Sequence, residues 1–242
     1  MEQLEPLGKD LGIYVNENHR FGTDAILLAD FSLNLKANIA CDLGTGCGII
    51  PMLWMKNKVM QRAFGVEIQA EGCNLAEKTI SHNNLENRFS VIKSDLKELK
   101  GKIPFGIFDL VTCNPPYKAL GAGIPNPDES LRLARHETLC TFGDIAKAAS
   151  ELLKFSGRFC ICQRPERLVD IFCEMRKVKI EPKRLRLVIQ REEQEPWLVL
   201  VEGRLGSKPG IRILPPLYVE VGGKLSEEIT EIYEDYANRK GQ

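Results

Sequence analysis

The chain has 242 residues, with 33 Lys and Arg against 33 Asp and Glu, so its formal net charge is zero. Hydrophobic residues make up 43% and charged residues 27%, a globular mixture that excludes a disordered or fibrous protein. Neutrality excludes a polycation that would hold nucleic acid by bulk charge, but leaves room for a local basic face. The opening residues, Met1-Glu2-Gln3-Leu4-Glu5, lack the basic-then-apolar order of a signal peptide. The longest uncharged stretch, Leu43 to Met55, is too short to span a bilayer. Eight cysteines and three histidines occur without metal-ligand spacing. That pattern predicts reduced, mostly buried thiols in a cytoplasmic protein that holds no metal and meets no membrane.

From about residue 38 the chain alternates short apolar runs with amphipathic segments. Strands are expected at 39–43, 62–67, 89–93, 107–113 and 157–162, with helices to about Asn57 and over 70–83, 142–154 and 165–177. Two further strands, 185–190 and 197–205, follow without an intervening helix and read as a hairpin closing the sheet. Strands alternating with helices predict βαβ units and a mostly parallel α/β sheet covered on both faces. The tail, 226–238, has helical spacing and is expected to cap the sheet edge.

The first strand runs into Asp42-Leu-Gly-Thr-Gly-Cys-Gly48. Glycines there permit a tight turn and close approach of a ligand to the backbone, at the strand edge where α/β sheets bind ligands. Ile49 stands where a dinucleotide fingerprint needs its third glycine, which disfavours a nicotinamide-dependent oxidoreductase. Asp42 and Glu67 end the first and second strands, and Asp95 follows the third, so three acids share one sheet edge. A carboxylate ending the second strand suits the two hydroxyls of a ribose. Asp95 suits the exocyclic amine of an adenine, and Asp42 the support of the turn or of an ammonium group.

The fourth strand ends in Asn114-Pro115-Pro116-Tyr117. The prolines remove two N–H donors, leaving carbonyls that face the cleft without competition. Asn114 Oδ1 and the Pro115 carbonyl can then both accept from one planar NH2 group, and Tyr117 offers a surface for a stacked base.

Together, Asp42-x-Gly44-x-Gly46-x-Gly48, Glu67, Asp95 and Asn114-Pro-Pro-Tyr117 resemble the class I S-adenosylmethionine-dependent methyltransferases that act on exocyclic or amide nitrogen. The resemblance implies a Rossmann-like sheet of seven strands, the last antiparallel. It also implies that Asp42, Gly44 and Gly46 hold the methionine part of the cofactor, Glu67 its ribose and Asp95 its adenine. Asn114 and Pro115 would hold the target amine and Tyr117 would stack on the target. Upstream, His19-Arg-Phe-Gly-Thr-Asp-Ala-Ile-Leu-Leu-Ala-Asp30 is similar to the segment before the first strand of bacterial tRNA1(Val) adenine-N6-methyltransferases, which modify A37 beside the anticodon. In that family the segment closes over the cofactor, which implicates Phe21, Thr23 and Asp24. Ala134-Arg-His-Glu137 resembles the same family, and Lys118, Arg135 and His136 are expected to contact RNA.

The resulting expectation is one methyltransferase domain: an N-terminal covering segment over 1–37, a catalytic sheet over 38–205 and a C-terminal extension over 206–242. Its cofactor would be S-adenosylmethionine and its partner tRNA, in a monomer or homodimer. Alternatives with the same chemistry are a glutamine-N5 protein methyltransferase of release-factor type and a ribosomal RNA guanine-N2 methyltransferase. A non-catalytic cofactor-binding RNA adaptor is the alternative of another class. Glutamine methyltransferases typically carry a separate helical N-terminal domain, and only about 38 residues precede the first strand here, which counts against that expectation. The Gly- and Pro-rich stretch after Tyr117 suits a loop closing over a flipped base. From Arg176 to Arg212, ten Lys and Arg against five Asp and Glu suggest a face for phosphates. Cys47 and Cys113 flank the two motifs and read as small packing residues.

Overall fold

The computed structural model describes residues 1–8, 11–33, 37–57, 60–115 and 140–237. It opens with a feature the sequence pattern did not predict, an antiparallel hairpin of β1 (Gln3–Pro6) and β2 (Gly12–Val15). β1 is mostly exposed and carries no alternating signal; distant residues hold the hairpin. The Gly12 N–H donates to Asn83 Oδ1 at 2.9 Å, and Asn83 Nδ2 donates back to the Gly12 carbonyl at 2.7 Å. Next comes α1 (Thr23–Leu33), buried along most of its length, so it lacks the polar stripe of a surface helix. Trp54 Nε1 donates to Ser32 Oγ at 2.9 Å, tying α1 to the helix behind it.

The central sheet then builds by βαβ steps: β3 (Ile39–Leu43), α2 (Ile49–Lys56), β4 (Arg62–Glu67), α3 (Ala70–His82), β5 (Phe89–Lys93) and β6 (Phe108–Cys113). After α4 (Phe142–Leu152) come β7 (Leu153–Gln163), α5 (Leu168–Lys177), β8 (Ile180–Ile189) and β9 (Pro196–Leu205). Thr141 and Asp144 form a reciprocal capping box that starts α4. The order across the sheet is β5-β4-β3-β6-β7-β9-β8. All neighbours are parallel except β9, which runs antiparallel to both β7 and β8. The expected architecture is therefore present: the hairpin of β8 and β9 ends this order, and β9, the last long strand of the chain, is antiparallel. Within the hairpin, β9 takes the inner place and β8 the outer one. Leu198 to Val201 are buried on both faces, and such a run belongs in the interior. β8 carries Pro182 and three basic residues, a composition suited to an outer position.

The sheet also continues past Leu205. Two short strands, β10 (Arg212–Ile213) and β11 (Leu217–Tyr218), pair in parallel with the outer side of β8. A small hairpin of β12 (Glu220–Val221) and β13 (Lys224–Leu225) leads into α6 (Glu227–Ala237). α6 packs against both α1 and β11, so the tail covers a helix as well as the edge.

Strand side chains alternate between two apolar layers. Leu110, Cys160, Cys162, Leu198 and Leu200 face the layer with α1 and α2, while Val111, Phe159, Ile161, Val199 and Val201 face the layer with α4 and α5. β3 leads outward to β4 and β5 on one side, and β6 leads to β7 on the other. The order thus reverses between β3 and β6, the place where open α/β sheets bind ligands.

Candidate active site

At that reversal, β3 runs into the glycine turn. Gly44, Gly46 and Gly48 have φ of +72°, +55° and +88°, left-handed values that strongly favour glycine. The N–H groups of Gly44 and Thr45 donate to the Val66 carbonyl at 2.8 and 3.0 Å, fastening the turn to β4. A side chain added at Gly44 or Gly46 would meet nothing within 4 Å. At Gly48 it would press on the Phe89 ring at 3.1 Å. The first two glycines therefore line open space, and the third serves packing.

Two of the three sheet-edge acids support this turn. Glu67 Oε2 accepts from the Gly46 N–H at 2.9 Å and Oε1 from the Gln69 N–H at 2.8 Å. Asp42 lies beneath the turn, where its Oδ1 accepts from Thr112 Oγ1 at 2.6 Å. Burial pushes the Asp42 carboxyl up to about 7; hydroxyls of Thr112 and Thr45 oppose the rise, and the charge of Glu67 adds to it. Asp95 follows Ser94, whose N–H donates to the Glu67 carbonyl at 2.9 Å, but the Asp95 side chain is engaged elsewhere. Its Oδ1 accepts from the Lys97 N–H at 2.9 Å, capping the short helical turn over 96–98, and its Oδ2 lies 3.6 Å from Lys97 Nζ.

Across the reversal, Cys113 of β6 pairs with Ile161 of β7, and the next residue, Asn114, emerges at the strand end. Its Nδ2 donates to Asp24 Oδ2 at 3.2 Å, and its Oδ1 accepts from Cys162 Sγ at 3.1 Å. The structure thus brings Asp24, at the start of α1, onto the Asn-Pro motif 90 residues away. Thr23 Oγ1 lies 2.8 Å from the Tyr233 hydroxyl of α6, and Phe21 packs on the apolar layer beneath.

The segment before α1 is fixed by residues that sequence reasoning did not single out. Asn16 Nδ2 donates to Glu71 Oε1 at 2.7 Å, and His19 Nε2 lies 3.6 Å from Glu71 Oε2. Gly72 makes this approach possible: a Cβ there would lie 3.0 Å from Glu67 Cγ, 3.1 Å from His19 and 3.3 Å from the Gly46 carbonyl. Glu71 and Gly72 open an ordinary amphipathic helix, so no local signal marked them. Cys162 was equally silent, one small residue in an apolar strand.

Tyr117, Lys118, Arg135 and His136 lie outside the described residues. The eight cysteines are free thiols, six of them buried, Cys47 and Cys113 included. Among the described residues no helix is long and apolar enough to cross a membrane, and no group of three or more His, Cys, Asp or Glu could hold a metal ion. Much of the basic surplus between Arg176 and Arg212 is engaged within the chain. Arg176 pairs with Glu181, Arg184 with Glu202, Arg186 with Glu228 and Arg191 with Glu220.

Open space above two left-handed glycines, bordered by a fixed carboxylate on the next strand, suits a ligand with vicinal hydroxyls and a cationic head. S-adenosylmethionine has both. Residues 7–125 match the methyltransferase small domain family. A protein of Porphyromonas gingivalis named tRNA1(Val) (adenine(37)-N6)-methyltransferase is 27% identical over 191 residues, covering 76% of this chain and 74% of the relative. A protein of the same name from Histophilus somni is 28% identical over 193 residues, covering 73% and 78%. The fold is similar to that of an Agrobacterium tumefaciens protein described as a predicted O-methyltransferase, with a TM-score of 0.72 and 19% identity over 90% of this chain and 98% of that one. It also resembles a SAM-dependent methyltransferase from Aquifex aeolicus, with a TM-score of 0.53 and 14% identity over 74% and 89%. The chain is an S-adenosylmethionine-dependent methyltransferase of Rossmann-like fold, similar over residues 7–125 to the methyltransferase small domain.

Proposed function

We propose that this enzyme methylates the exocyclic N6 of an adenine in tRNA, at A37 beside the anticodon. The observation that carries the reading is the position of Asn114-Pro115, at the end of β6 beside the glycine turn, with the Asn114 amide held by Asp24. The names of the relatives from Porphyromonas gingivalis and Histophilus somni support tRNA adenine as the acceptor.

When bound, S-adenosylmethionine supplies an electrophilic methyl group on a sulfonium. In this reading Asp42, Gly44 and Gly46 hold its methionine part, Glu67 its ribose and Asp95 its adenine, while Phe21, Thr23 and Asp24 cover it. Asn114 Oδ1 and the Pro115 carbonyl accept the two hydrogens of the target amine. With both N–H bonds so engaged, the nitrogen lone pair is drawn out of conjugation with the ring and becomes nucleophilic. Positioning and electrostatics are then the main work of the protein. No general base is required, because the proton of the methylated amine can pass to water. Tyr117 stacks on the target base, and Lys118, Arg135 and His136 contact the RNA. The enzyme acts in the cytoplasm, with residues 1–37 as the covering segment, 38–205 as the catalytic sheet and 206–242 as an extension.

Nucleoside mass spectrometry of total tRNA from a strain lacking the gene tests this reading. Loss of N6-methyladenosine beside the anticodon is expected; an unchanged level would overturn the assignment.

A further inference from the structure

The Asn114 amide is held at both ends. Its Nδ2 lies 3.2 Å from Asp24 Oδ2 and its Oδ1 lies 3.1 Å from Cys162 Sγ. These partners come from different elements, one from α1 and the other from β7, and Cys162 faces the α1 layer of the sheet. The carboxylate oxygen of Asp24 accepts from the NH2 end of the amide, so the amide oxygen faces Cys162. Cys162 is buried, and burial together with the negative charges of Asp24 and Asp42 pushes its thiol well above the usual range. The sulfur therefore keeps its proton and donates it to Asn114 Oδ1.

We propose that Cys162 and Asp24 are positioning residues that lock the Asn114 amide with its oxygen available to the target amine. This rests on the reading of Asn114 given above. Two consequences follow from the chemistry of an amide. A free amide could rotate and present NH2 to a target that is itself an NH2 group, setting donor against donor; the two partners prevent that. Donation from Nδ2 to a carboxylate and acceptance of S–H by Oδ1 both favour the charge-separated form of the amide. They raise the electron density on Oδ1, which keeps a second lone pair for the target N–H. Asp24 thereby gains a role on the acceptor side, in addition to the cofactor-covering role that the family resemblance implies.

The test uses the full-length chain with Cys162→Ala, Cys162→Ser and Asp24→Asn. Steady-state kinetics are measured with S-adenosylmethionine and unmodified tRNA. Side-chain amide 1H–15N spectra accompany them, with the Asn114 signals identified by their loss in Asn114→Ala. Removing one oriented hydrogen bond is expected to lower kcat about 10-fold in Cys162→Ala, with the KM for S-adenosylmethionine within about twofold of wild type. Cys162→Ser, which keeps a donor, should recover most of the loss. Asp24→Asn should lower kcat at least as much, and the Asn114 amide signals should shift in both Cys162→Ala and Asp24→Asn. A kcat for Cys162→Ala within twofold of wild type would overturn the proposal. So would a serine variant that melts like wild type yet is as slow as alanine, or an Asp24→Asn effect confined to the KM for S-adenosylmethionine. If wild-type protein methylates no tRNA, the functional reading fails by itself. The spectra then decide separately, and unmoved Asn114 signals in both variants would refute the lock.

Discussion

Glu67, the last residue of β4, accepts a hydrogen bond from the Gly46 N–H at 2.9 Å, so the carboxylate ending one strand is built into the turn that follows its neighbour. The same carboxylate accepts from Gln69. Its orientation is thus set by the protein's own backbone.

Glu67→Gln has one acceptor where two backbone donors need one each. One N–H is left facing an NH2 group, at a cost of about 1–3 kcal/mol. Titration calorimetry should show S-adenosylmethionine affinity weakened by about 10- to 100-fold, with a lowered melting temperature. Wild-type affinity in this variant would place the cofactor elsewhere.

Gly46→Ala introduces a methyl group at φ +55° into space that holds no protein atom within 4 Å. Left-handed strain alone costs about 1–2 kcal/mol. The melting temperature without ligand should therefore drop modestly, while cofactor affinity falls further, because the methyl group occupies the ligand's space. Equal loss in both measurements would mean that the space over Gly46 takes no ligand.

Asp42 makes stability depend on pH. Its folded-state value of about 7 lies above the ordinary 3.8, so between those values the folded state binds more protons than the unfolded state. Linkage then makes stability fall as pH rises through that window, with the full penalty present above about pH 7. Compared with wild type, Asp42→Asn should lack this decline, so urea melts of the two proteins should diverge in favour of the variant from pH 5 to pH 8. Parallel curves would show that Asp42 ionises normally.

Arg186 donates to both oxygens of Glu228 at 2.6 and 2.7 Å and to the Pro215 carbonyl at 3.1 Å. It is thus engaged in holding α6 against the outer edge of the sheet. Arg186→Gln should cost about 1 kcal/mol in a denaturant melt. Filter binding should find tRNA affinity within twofold of wild type, and a fivefold loss would return Arg186 to the RNA face.

The strands nearest the site were legible because their signals are local. Ile39–Leu43 runs into Gly44, Arg62–Glu67 ends at an acid and Phe89–Lys93 stops two residues before Asp95; each has an apolar centre, and the structure keeps those limits. What depended on distant partners was not legible. The hairpin of β1 and β2 is fixed by Asn83, and the place of β9 by burial on both faces. The basic surplus around β8 loses much of its meaning once Glu220 and Glu228, both beyond the stretch in which it was counted, fold back onto Arg191 and Arg186. Within the site, the glycine turn, Glu67 and Asn114 carried residue types characteristic of their chemistry. Cys162 and Glu71 did not, because their roles come from contacts 48 and 55 residues away in the chain.

The most direct test incubates purified protein with S-adenosylmethionine and tRNA from a strain lacking the modification, followed by nucleoside mass spectrometry, for wild type and Asn114→Ala side by side. N6-methyladenosine should form with the wild type and be nearly absent with Asn114→Ala, while calorimetry shows the variant binding S-adenosylmethionine within a few-fold of wild type. Absence of N6-methyladenosine with the wild type, or its formation at the wild-type rate by Asn114→Ala, would contradict the account.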